Sequence, residues 1–404
     1  MPKTADSLLA PGLGASVRGI AALEDARRLA RRRLPRLVFD FIEGGAGDEV
    51  ALAANRAALD AIKLQPRVLE DTSRRDLSAE FLGRRYDLPI GMAPMGMCAL
   101  AHPEADRLMA RLALEANIPL GLSTAASTSI EAMAPLAPQQ LWFQLYVGQS
   151  QHNGLAMADR AAAAGYHTLV LTVDVPEVSR RARDLRNGFQ VPFRIGPRQA
   201  LDFALHPAWA VQRLMAGVPY QANFDRTKGG FRRDEPRAGA DWAFLDRLRQ
   251  RWEGALIVKG VTSPTDAMRI RDAGADAMWV SNHGGRQLDA VMPAIQILPH
   301  IRRAVGADLP LLFDSGVRTG GDVVRALALG ADFVMMGRPW MYGLGAAGGR
   351  GLVSVARLLK GEISNVMAQI GARSIADLTP DVLAEAHLAK PVPGAPRAAL
   401  SQVT

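Results

Sequence analysis

A histidine in a glycine-rich segment is the best candidate for proton transfer in this 404-residue chain. His283 stands between Asn282 and a glycine pair in SNHGGRQLD, and Arg286 follows three residues later. An imidazole with an ordinary pKa of about 6.5 accepts a proton near neutral pH. An arginine presents a planar fork that binds a carboxylate in two places. We therefore predict a base beside a carboxylate clamp, which suits a hydroxy acid or an amino acid as substrate.

Lys259 is a second ionisable residue in an unusual place. It ends the apolar run ALIV at 255–258, where an unpaired ammonium group would be costly. Two interpretations stay open: an anionic ligand lies beside the ammonium group, or a carboxylate at a strand end forms a salt bridge with it. A further carboxylate, Asp314, lies in LPLLFDS, and we expect it to orient His283 and to stabilise the imidazolium form.

Eight short apolar runs position these residues, and a polar or glycine-rich break and a helical stretch follow each run. The runs are PIGMA (89–93), PLGLS (119–123), LWFQLY (141–146), TLVLTVD (168–174), ALIVKG (255–260), DAMWVS (276–281), LPLLFDS (309–315) and DFVMMG (332–337). In AGYHTLVL, AGADAMWV and LGADFVMM a glycine closes the preceding helix. Because the runs are continuous rather than alternating, they should be buried on both faces. They predict an α/β fold built as a closed (β/α)₈ TIM barrel.

The C-terminal strand ends of such a barrel carry its chemistry. Glycines and arginines follow the seventh and eighth runs, where these barrels hold a phosphate on backbone N–H groups and fixed positive charge. These residues are Gly316, Arg318, Gly337 and Arg338. Together with Lys259 they predict a mononucleotide such as FMN. No GxGxxG fingerprint opens a βαβ unit, which argues against a dinucleotide.

Two segments lie outside the repeated pattern of the predicted single domain, 1–404. Residues 18–60 are predicted to be helical and to cap one end of the barrel. The insertion at 184–241 combines Arg, Trp, Phe and Leu with prolines that divide it into short pieces. It is predicted to be an irregular flap over the barrel or a basic amphipathic segment on an anionic membrane surface.

Composition excludes several classes of protein. Hydrophobic residues make up 49% of the chain and charged residues 22%, which is ordinary for a large globular core and excludes collagen and coiled coils. The one cysteine, Cys98, excludes a disulfide framework or a cysteine-rich metal site, and no metal is expected. No signal-peptide or membrane-spanning apolar run is present, so a cytoplasmic location is expected. The net charge of +8 includes no basic run interleaved with aromatics, so nucleic acid is not an expected partner.

Taken together, the motifs resemble those of the FMN-dependent 2-hydroxy acid oxidase and dehydrogenase family, which includes glycolate oxidase, L-lactate dehydrogenase and (S)-mandelate dehydrogenase. SNHGGRQLD is the most specific match. The others are LPRLVFDFIEGGAGDE, GLSTAASTSIE, LWFQLYV, LTVD, IVKG, DSGVRTGGDVVRALALGA and MGRP. The resemblance runs from about residue 18 to 385 and favours the mandelate and lactate dehydrogenase branch.

The resemblance implies three groups of site residues. The catalytic group, with His283 as base, Asp314 as its partner and Asp174 in support of the base, is His283, Asp314, Asp174 and Tyr146. The substrate group, with both arginines on the carboxylate, is Arg286, Arg181, Tyr146, Phe41 and Ala125. The FMN group, with Lys259 beside the N1/O2 edge of the flavin, is Pro94, Met95, Gly96, Ser123, Gln144, Thr172, Lys259, Ser281, Asp314, Gly316, Arg318, Gly337 and Arg338.

Two positions depart from the family pattern. Phe41 stands where the family has a tyrosine whose hydroxyl binds the substrate carboxylate. Losing that hydrogen bond should weaken binding by about 1.5–3 kcal/mol and raises the prospect of an unusual substrate. Ala125 stands where short-chain oxidases often carry a tryptophan, and Gly96 resembles the mandelate branch. We therefore expect a roomy pocket for a bulky or aromatic 2-hydroxy acid.

The resemblance implies oxidation of an (S)-2-hydroxy acid to the 2-oxo acid, with His283 taking a proton from the hydroxyl or from C2. The electrons would pass to a quinone or cytochrome, or to oxygen with release of hydrogen peroxide. Two alternatives stay open: oxidation of an amine or a modified peptide, and a flavin-binding partner with little catalysis. A homotetramer and a peripheral position on the inner face of the cell membrane are further expectations.

Overall fold

Eight parallel strands form a closed barrel in the computed structural model, which describes residues 13, 15–190, 193–224 and 236–384. The barrel strands are β3 (Ile90–Met95), β4 (Leu120–Ser123), β5 (Leu141–Leu145), β6 (Thr168–Thr172), β7 (Ala255–Val261), β8 (Ala277–Val280), β9 (Leu311–Phe313) and β10 (Phe333–Met336). β10 pairs with both β9 and β3 and so closes the barrel. The predicted (β/α)₈ barrel is confirmed.

Helices pack around the barrel and connect successive strands. They are α4 (Ala105–Glu115), α5 (Ile130–Met133), α6 (Gln151–Ala163), α10 (Trp242–Arg251), α11 (Pro264–Asp272), α12 (Ala294–Val305), α13 (Gly320–Ala328), α14 (Arg338–Ala347) and α15 (Gly349–Gln369). Several begin at a residue whose side-chain oxygen accepts a backbone N–H of the first turn, as Ser150, Ser263 and Thr319 do. The glycines of the three predicted lead-ins have positive φ, which ends each helix before the next strand.

A short hairpin closes the N-terminal end of the barrel, and the sequence patterns did not predict it. Its strands, β1 (Ala79–Phe81) and β2 (Arg84–Tyr86), are antiparallel. The Phe81 ring packs between Trp142 and Phe333 of the barrel, with centroid distances of 5.9 and 5.4 Å. Strands of three residues are too short to show a hydrophobic period, which explains why the hairpin was missed.

Three helices precede the hairpin, as the sequence predicts for 18–60. They are α1 (Leu23–Arg33), α2 (Arg36–Glu43) and α3 (Val50–Ala61). α1 packs against α14, whereas α3 packs against the turn His283–Gly285 at the opposite end of the barrel from the hairpin. This segment therefore covers part of the mouth where the strands end.

The insertion after β6 is only partly helical. It contains α7 (Ala182–Arg186), α8 (Pro197–Ala204) and α9 (Pro207–Ala216), while 191–192 and 225–235 of the predicted insertion lie outside the described residues. Phe189 stacks on Phe41 of α2 with a centroid distance of 4.6 Å, and the indole N–H of Trp209 donates to the Leu100 carbonyl. These contacts hold the insertion over the barrel mouth.

Candidate active site

The C-terminal strand ends surround a cleft of about 1240 Å³, its open mouth included. Most of the predicted site residues line it: Phe41, Pro94, Met95, Gly96, Ser123, Ala125, Tyr146, Arg181, Lys259, His283, Arg286, Asp314, Gly316, Arg318, Gly337 and Arg338. The other four, Gln144, Thr172, Asp174 and Ser281, lie behind this lining and contact it. Strand register explains part of this arrangement, because Gln144 pairs with Ser123 and Thr172 pairs with Lys259.

His283 is hydrogen-bonded to a carboxylate from a neighbouring strand end. Its Nδ1 lies 3.0 and 3.2 Å from the two carboxylate oxygens of Asp174. Burial lowers the pKa of His283, and Asp174 offsets this only in part, so the net pKa is below the ordinary value. The imidazole is therefore neutral at pH 7, and a Nδ1–H held by Asp174 leaves Nε2 able to accept a proton.

The prediction that Asp314 orients His283 is wrong, because Asp314 is engaged elsewhere. Its carboxylate lies 3.1 Å from the Lys259 ammonium group and accepts hydrogen bonds from Ser281 Oγ (2.6 Å) and Ser315 Oγ (2.7 Å). Lys259 also donates to Ser281 Oγ at 2.7 Å. Of the two interpretations of Lys259, the salt bridge is what the structure shows, although Lys259 also faces the cleft.

Neighbouring charges in this network offset the effect of burial on the pKa values of Asp174 and Lys259. Burial raises the pKa of Asp174, but His283 and Lys259 more than offset it, so the pKa of Asp174 lies below its ordinary value. Burial likewise lowers the pKa of Lys259, but Asp314 and Asp174 raise it above the ordinary value. At neutral pH, Lys259 is therefore an ammonium group, Asp174 is a carboxylate and the His283 imidazole is neutral.

The backbone around His283 adopts a left-handed conformation over three consecutive residues. The φ angles of His283, Gly284 and Gly285 are 57°, 64° and 72°, and a non-glycine residue there carries strain. Neighbouring side chains hold this turn in place. Asn282 exchanges two amide hydrogen bonds, of 2.9 and 2.8 Å, with Asn55 of α3. Both amides are buried, so the pair ties the histidine turn to the N-terminal helices.

Two arginines hold the C-terminal end of α2 against the cleft. The terminal nitrogens of Arg286 donate to the carbonyls of Phe41 (2.9 Å) and Gly44 (2.7 Å). Arg338 donates to the carbonyls of Gly44 (2.9 Å) and Gly284 (3.1 Å). The last turn of α2 contains no basic residue of its own. The two guanidinium groups supply the positive charge and the hydrogen-bond donors that the terminal carbonyls of a helix need. Arg286 thus faces the cleft with both terminal nitrogens already bonded to backbone, which the sequence did not predict.

Known proteins resemble this chain in both sequence and fold. The model of the family described as FMN-dependent dehydrogenase matches residues 30–385. The chain belongs to this family. It is 41% identical to (S)-mandelate dehydrogenase of Pseudomonas putida over 370 residues, which cover 89% of this chain and 93% of that protein. It is 39% identical to L-lactate dehydrogenase of Pectobacterium atrosepticum over 376 residues, covering 91% and 97%.

Solved structures of the FMN-dependent dehydrogenase family share the fold. A crystal structure of the monotopic membrane protein (S)-mandelate dehydrogenase superimposes with a TM-score of 0.87 at 40% identity, covering 91% of this chain and 100% of that one. A crystal structure of mandelate oxidase has a TM-score of 0.77 at 37% identity, covering 89% and 96%.

The cleft fits FMN, the cofactor of the family. Two buried polar atoms behind it, Gln144 Nε2 and Thr172 Oγ1, find no hydrogen-bond partner within the described residues, and a flavin ring edge has the groups to satisfy them. At the other end, burial and the neighbouring Arg318 lower the pKa of Arg338 to about 10, a repulsion that a phosphate would relieve. Bound FMN supplies a ring that accepts two electrons from the substrate.

Sequence reasoning missed several residues of the site. Asn55 had a usable signal, because Ala51, Asn55 and Leu59 follow a spacing of four on the buried face of α3, and a buried amide needs partners. Arg237 lines the cleft as well. No sequence signal pointed to it, because it lies in the irregular insertion. Ser315 Oγ accepts hydrogen bonds from the backbone N–H groups of Asn282 and Gly284. Sequence reasoning singled out the neighbouring Asp314 instead.

Proposed function

We propose that the protein oxidises an (S)-2-hydroxy acid with a bulky substituent to the 2-oxo acid, using FMN. The observation that carries the proposal is the neutral His283, fixed by Asp174 at 3.0 Å, facing a cleft that arginines also line. A base beside fixed positive charge is what removal of a proton from a bound hydroxy carboxylate requires. The names of the mandelate and lactate dehydrogenase relatives support this substrate class.

Each charged or titratable residue of the cleft has a separate role in this reaction. His283 Nε2 accepts the proton of the substrate hydroxyl or of C2, and Asp174 stabilises the imidazolium that forms. Arg286 and Arg181 attract the carboxylate, and their burial makes that attraction stronger than it would be in water. Lys259, which lines the cleft, would place positive charge beside bound FMN and would stabilise the negative charge of the reduced ring.

The bulky substituent is inferred from the wall opposite the charged groups. Gly96 and Ala125 line the cleft without large side chains, and a Cβ atom at position 96 would lie 2.8 Å from the Cβ of Ala125, which restricts that position to glycine. Phe41 adds an apolar face to the cleft, with its ring stacked on Phe189 and 5.4 Å from the Arg286 guanidinium. Phe41 cannot hydrogen-bond a carboxylate, but it offers an aromatic surface for an aromatic or long-chain substituent.

We propose a membrane quinone as electron acceptor, with the insertion as the surface that contacts the membrane. Leu205, Leu214 and Met215, in or beside α8 and α9, are 70%, 86% and 84% exposed. Arg194 and Arg198 of the same insertion are also exposed, and exposed apolar and basic residues together favour an anionic bilayer. No helix in the described part of the chain has the length and hydropathy needed to cross a bilayer. A position on the inner face of the cell membrane and a fourfold homotetramer complete the proposal and rest on the resemblance to the family.

The proposal is tested by mixing the purified yellow protein anaerobically with (S)-2-hydroxy acids and following the loss of flavin absorbance. The panel runs from glycolate and lactate to longer-chain acids and mandelate. Bleaching by mandelate or long-chain acids, but weakly by glycolate, is the expected result. If bound FMN is bleached by none of the acids but by amines or a modified peptide, the substrate class is wrong.

The acceptor is tested in the same preparation by readmitting either air or a quinone analogue to the reduced protein. Reoxidation by the quinone that is much faster than reoxidation by air is expected. Rapid formation of hydrogen peroxide in air, without reduction of the quinone, would make the protein an oxidase and contradict this part of the proposal.

A further inference from the structure

A fifth arginine of the cleft lining belongs to neither the predicted carboxylate clamp nor the predicted phosphate site. Arg237 lies between the insertion helices and α10, and it lines the same cleft as His283. Its backbone N–H donates to the Pro176 carbonyl at 2.7 Å, which fixes the chain where it passes the mouth. Its guanidinium lies over the Tyr146 ring, 4.5 Å from the centroid.

This placement puts Arg237 one aromatic ring away from the reacting groups. Tyr146 interacts electrostatically with Arg237 and Arg181, and also with Asp174 and Lys259. His283, Tyr146 and Arg237 all line this cleft, so a ligand that contacts His283 shares the cavity with the Tyr146 ring and the Arg237 guanidinium. A substituent that projects from the reacting carbon towards the insertion would meet the guanidinium.

The electrostatics of Arg237 favour an anion at this point. Burial lowers the pKa of Arg237 and of Arg181, and Arg237 lowers that of Arg181 further because the two charges repel. Asp184, 3.8 Å from the Arg181 guanidinium, offsets part of this repulsion. An anionic group placed between the two guanidinium groups would reduce their repulsion, whereas a neutral phenyl or alkyl group would not.

We propose that Arg237 binds a second anionic group, carried on the side chain of the substrate, and thereby selects 2-hydroxy acids that are dianions. The inference rests on the proposed function and narrows it. Arg286 and Arg181 take the carboxylate next to the hydroxyl, and Arg237 takes a carboxylate at the far end of the substituent. Such a substrate is a dicarboxylic 2-hydroxy acid or an aryl 2-hydroxy acid with an acidic ring substituent.

The test compares substrates that share a skeleton and differ in one carboxylate. Suitable pairs are (S)-2-hydroxyglutarate with (S)-2-hydroxypentanoate, and carboxy-substituted (S)-mandelate with (S)-mandelate. For the natural chain, kcat/KM of flavin reduction should be about tenfold or more higher for the dianion of a pair. In Arg237→Gln this ratio should fall towards one, and Arg237→Lys should restore part of it because the charge returns without the planar fork.

The matched control is Arg186→Gln, which removes the same charge from an exposed position in α7 outside the cleft. It should leave the ratio as it is in the natural chain. Equal FMN absorbance in all variants shows that the fold is retained. If the dianion has no advantage, or if Arg237→Gln lowers both members of a pair equally, the inference is overturned although 2-hydroxy acids are oxidised. If no 2-hydroxy acid reduces the flavin, the proposed function itself fails.

Discussion

At the scale of single residues, the protonation state of His283 is set by two opposing effects. Burial disfavours the imidazolium, while Asp174 at 3.0 Å favours it, and burial has the larger effect. The base is consequently neutral before reaction and stabilised once it has taken a proton. The Lys259 ammonium group contacts Asp314 and Ser281 directly, and its charge lowers the pKa values of both Asp174 and His283.

Replacing His283 by Ala should reduce the rate of flavin reduction by about 10²–10⁴-fold, the usual contribution of a general base. FMN should stay bound, because the predicted FMN contacts come from other residues. Stopped-flow absorbance in the absence of oxygen measures the rate, and the flavin spectrum reports occupancy. Flavin reduction at the natural rate in this variant would show that another group takes the proton.

Asp174→Asn should change the pH dependence of the same rate in a defined direction. Only the neutral imidazole accepts a proton, so the rate falls at acid pH, and the lowered pKa of His283 places that fall below pH 6.5. Removing the Asp174 charge lowers the pKa of His283 further. The fall should therefore move to lower pH, while the plateau rate also drops because the imidazolium loses its partner.

The matched control for this change is Asp202→Asn, which alters the aspartate beside His206 in the insertion. It should leave the pH profile of flavin reduction where it is. A fall in rate that stays in place, or moves to higher pH, in Asp174→Asn would contradict the assigned pairing.

At the scale of elements, the N-terminal helices determine the geometry of the barrel mouth. α2 presents its terminal carbonyls to Arg286 and Arg338, and α3 supplies Asn55 to the histidine turn. The left-handed turn carrying His283 is thus supported from outside the barrel. A strained backbone persists only where its surroundings hold it, and the Asn55–Asn282 pair is part of that support.

Asn55→Ala should therefore affect both stability and catalysis. Removing the two buried amide hydrogen bonds between Asn55 and Asn282 should lower the free energy of unfolding by about 1–3 kcal/mol. The rate of flavin reduction should fall while substrate affinity changes less, because the turn that carries the base is loosened. The control, Asn365→Ala, removes an exposed asparagine from α15. Thermal unfolding measures the stability and anaerobic kinetics measure the rate of flavin reduction. If the variant is less stable but reduces the flavin at the natural rate, Asn55 has only a structural role.

At the scale of the whole molecule, the cleft and the exposed apolar surface of the insertion lie at the same end of the barrel. Val178, Gln221 and Arg237 connect the insertion to the cleft, while α8 and α9 carry Leu205, Leu214 and Met215 outward. A membrane at this surface would bring a quinone close to the mouth. The N-terminal end, closed by the β1–β2 hairpin, would point away from it.

The double variant Leu214→Glu/Met215→Glu replaces two exposed apolar side chains with negative charges, which an anionic bilayer repels. Its affinity for anionic phospholipid vesicles should be lower than that of the natural chain by about tenfold or more. Anaerobic reduction of FMN by a 2-hydroxy acid should be unchanged. Co-sedimentation with vesicles measures binding. Met268→Glu, on α11 of the outer ring, adds a charge at a site 38% exposed and should have no effect. Equal vesicle binding by all these proteins would rule out this membrane surface.

The sequence by itself determined the barrel and most of the lining of its cleft. Continuous apolar runs, each closed by a glycine-punctuated helix, leave few alternatives to a closed parallel sheet, and the ends of parallel strands meet at one mouth. Residues such as Lys259, Ser123 and Arg318 were therefore placed correctly from strand position alone. These signals are local, because each depends on a run of neighbouring residues.

Only the tertiary structure decided which hydrogen bonds and salt bridges these residues form. Asp174 and Asp314 both follow strands near His283, and sequence position does not distinguish them. Packing brings Asp174 to the imidazole, while Lys259 and two serines hold Asp314. Asn55 and Arg237 reach the site from segments far away in the chain. Their roles depend on distances of a few ångströms between separate elements, and the local pattern of a sequence does not contain those distances.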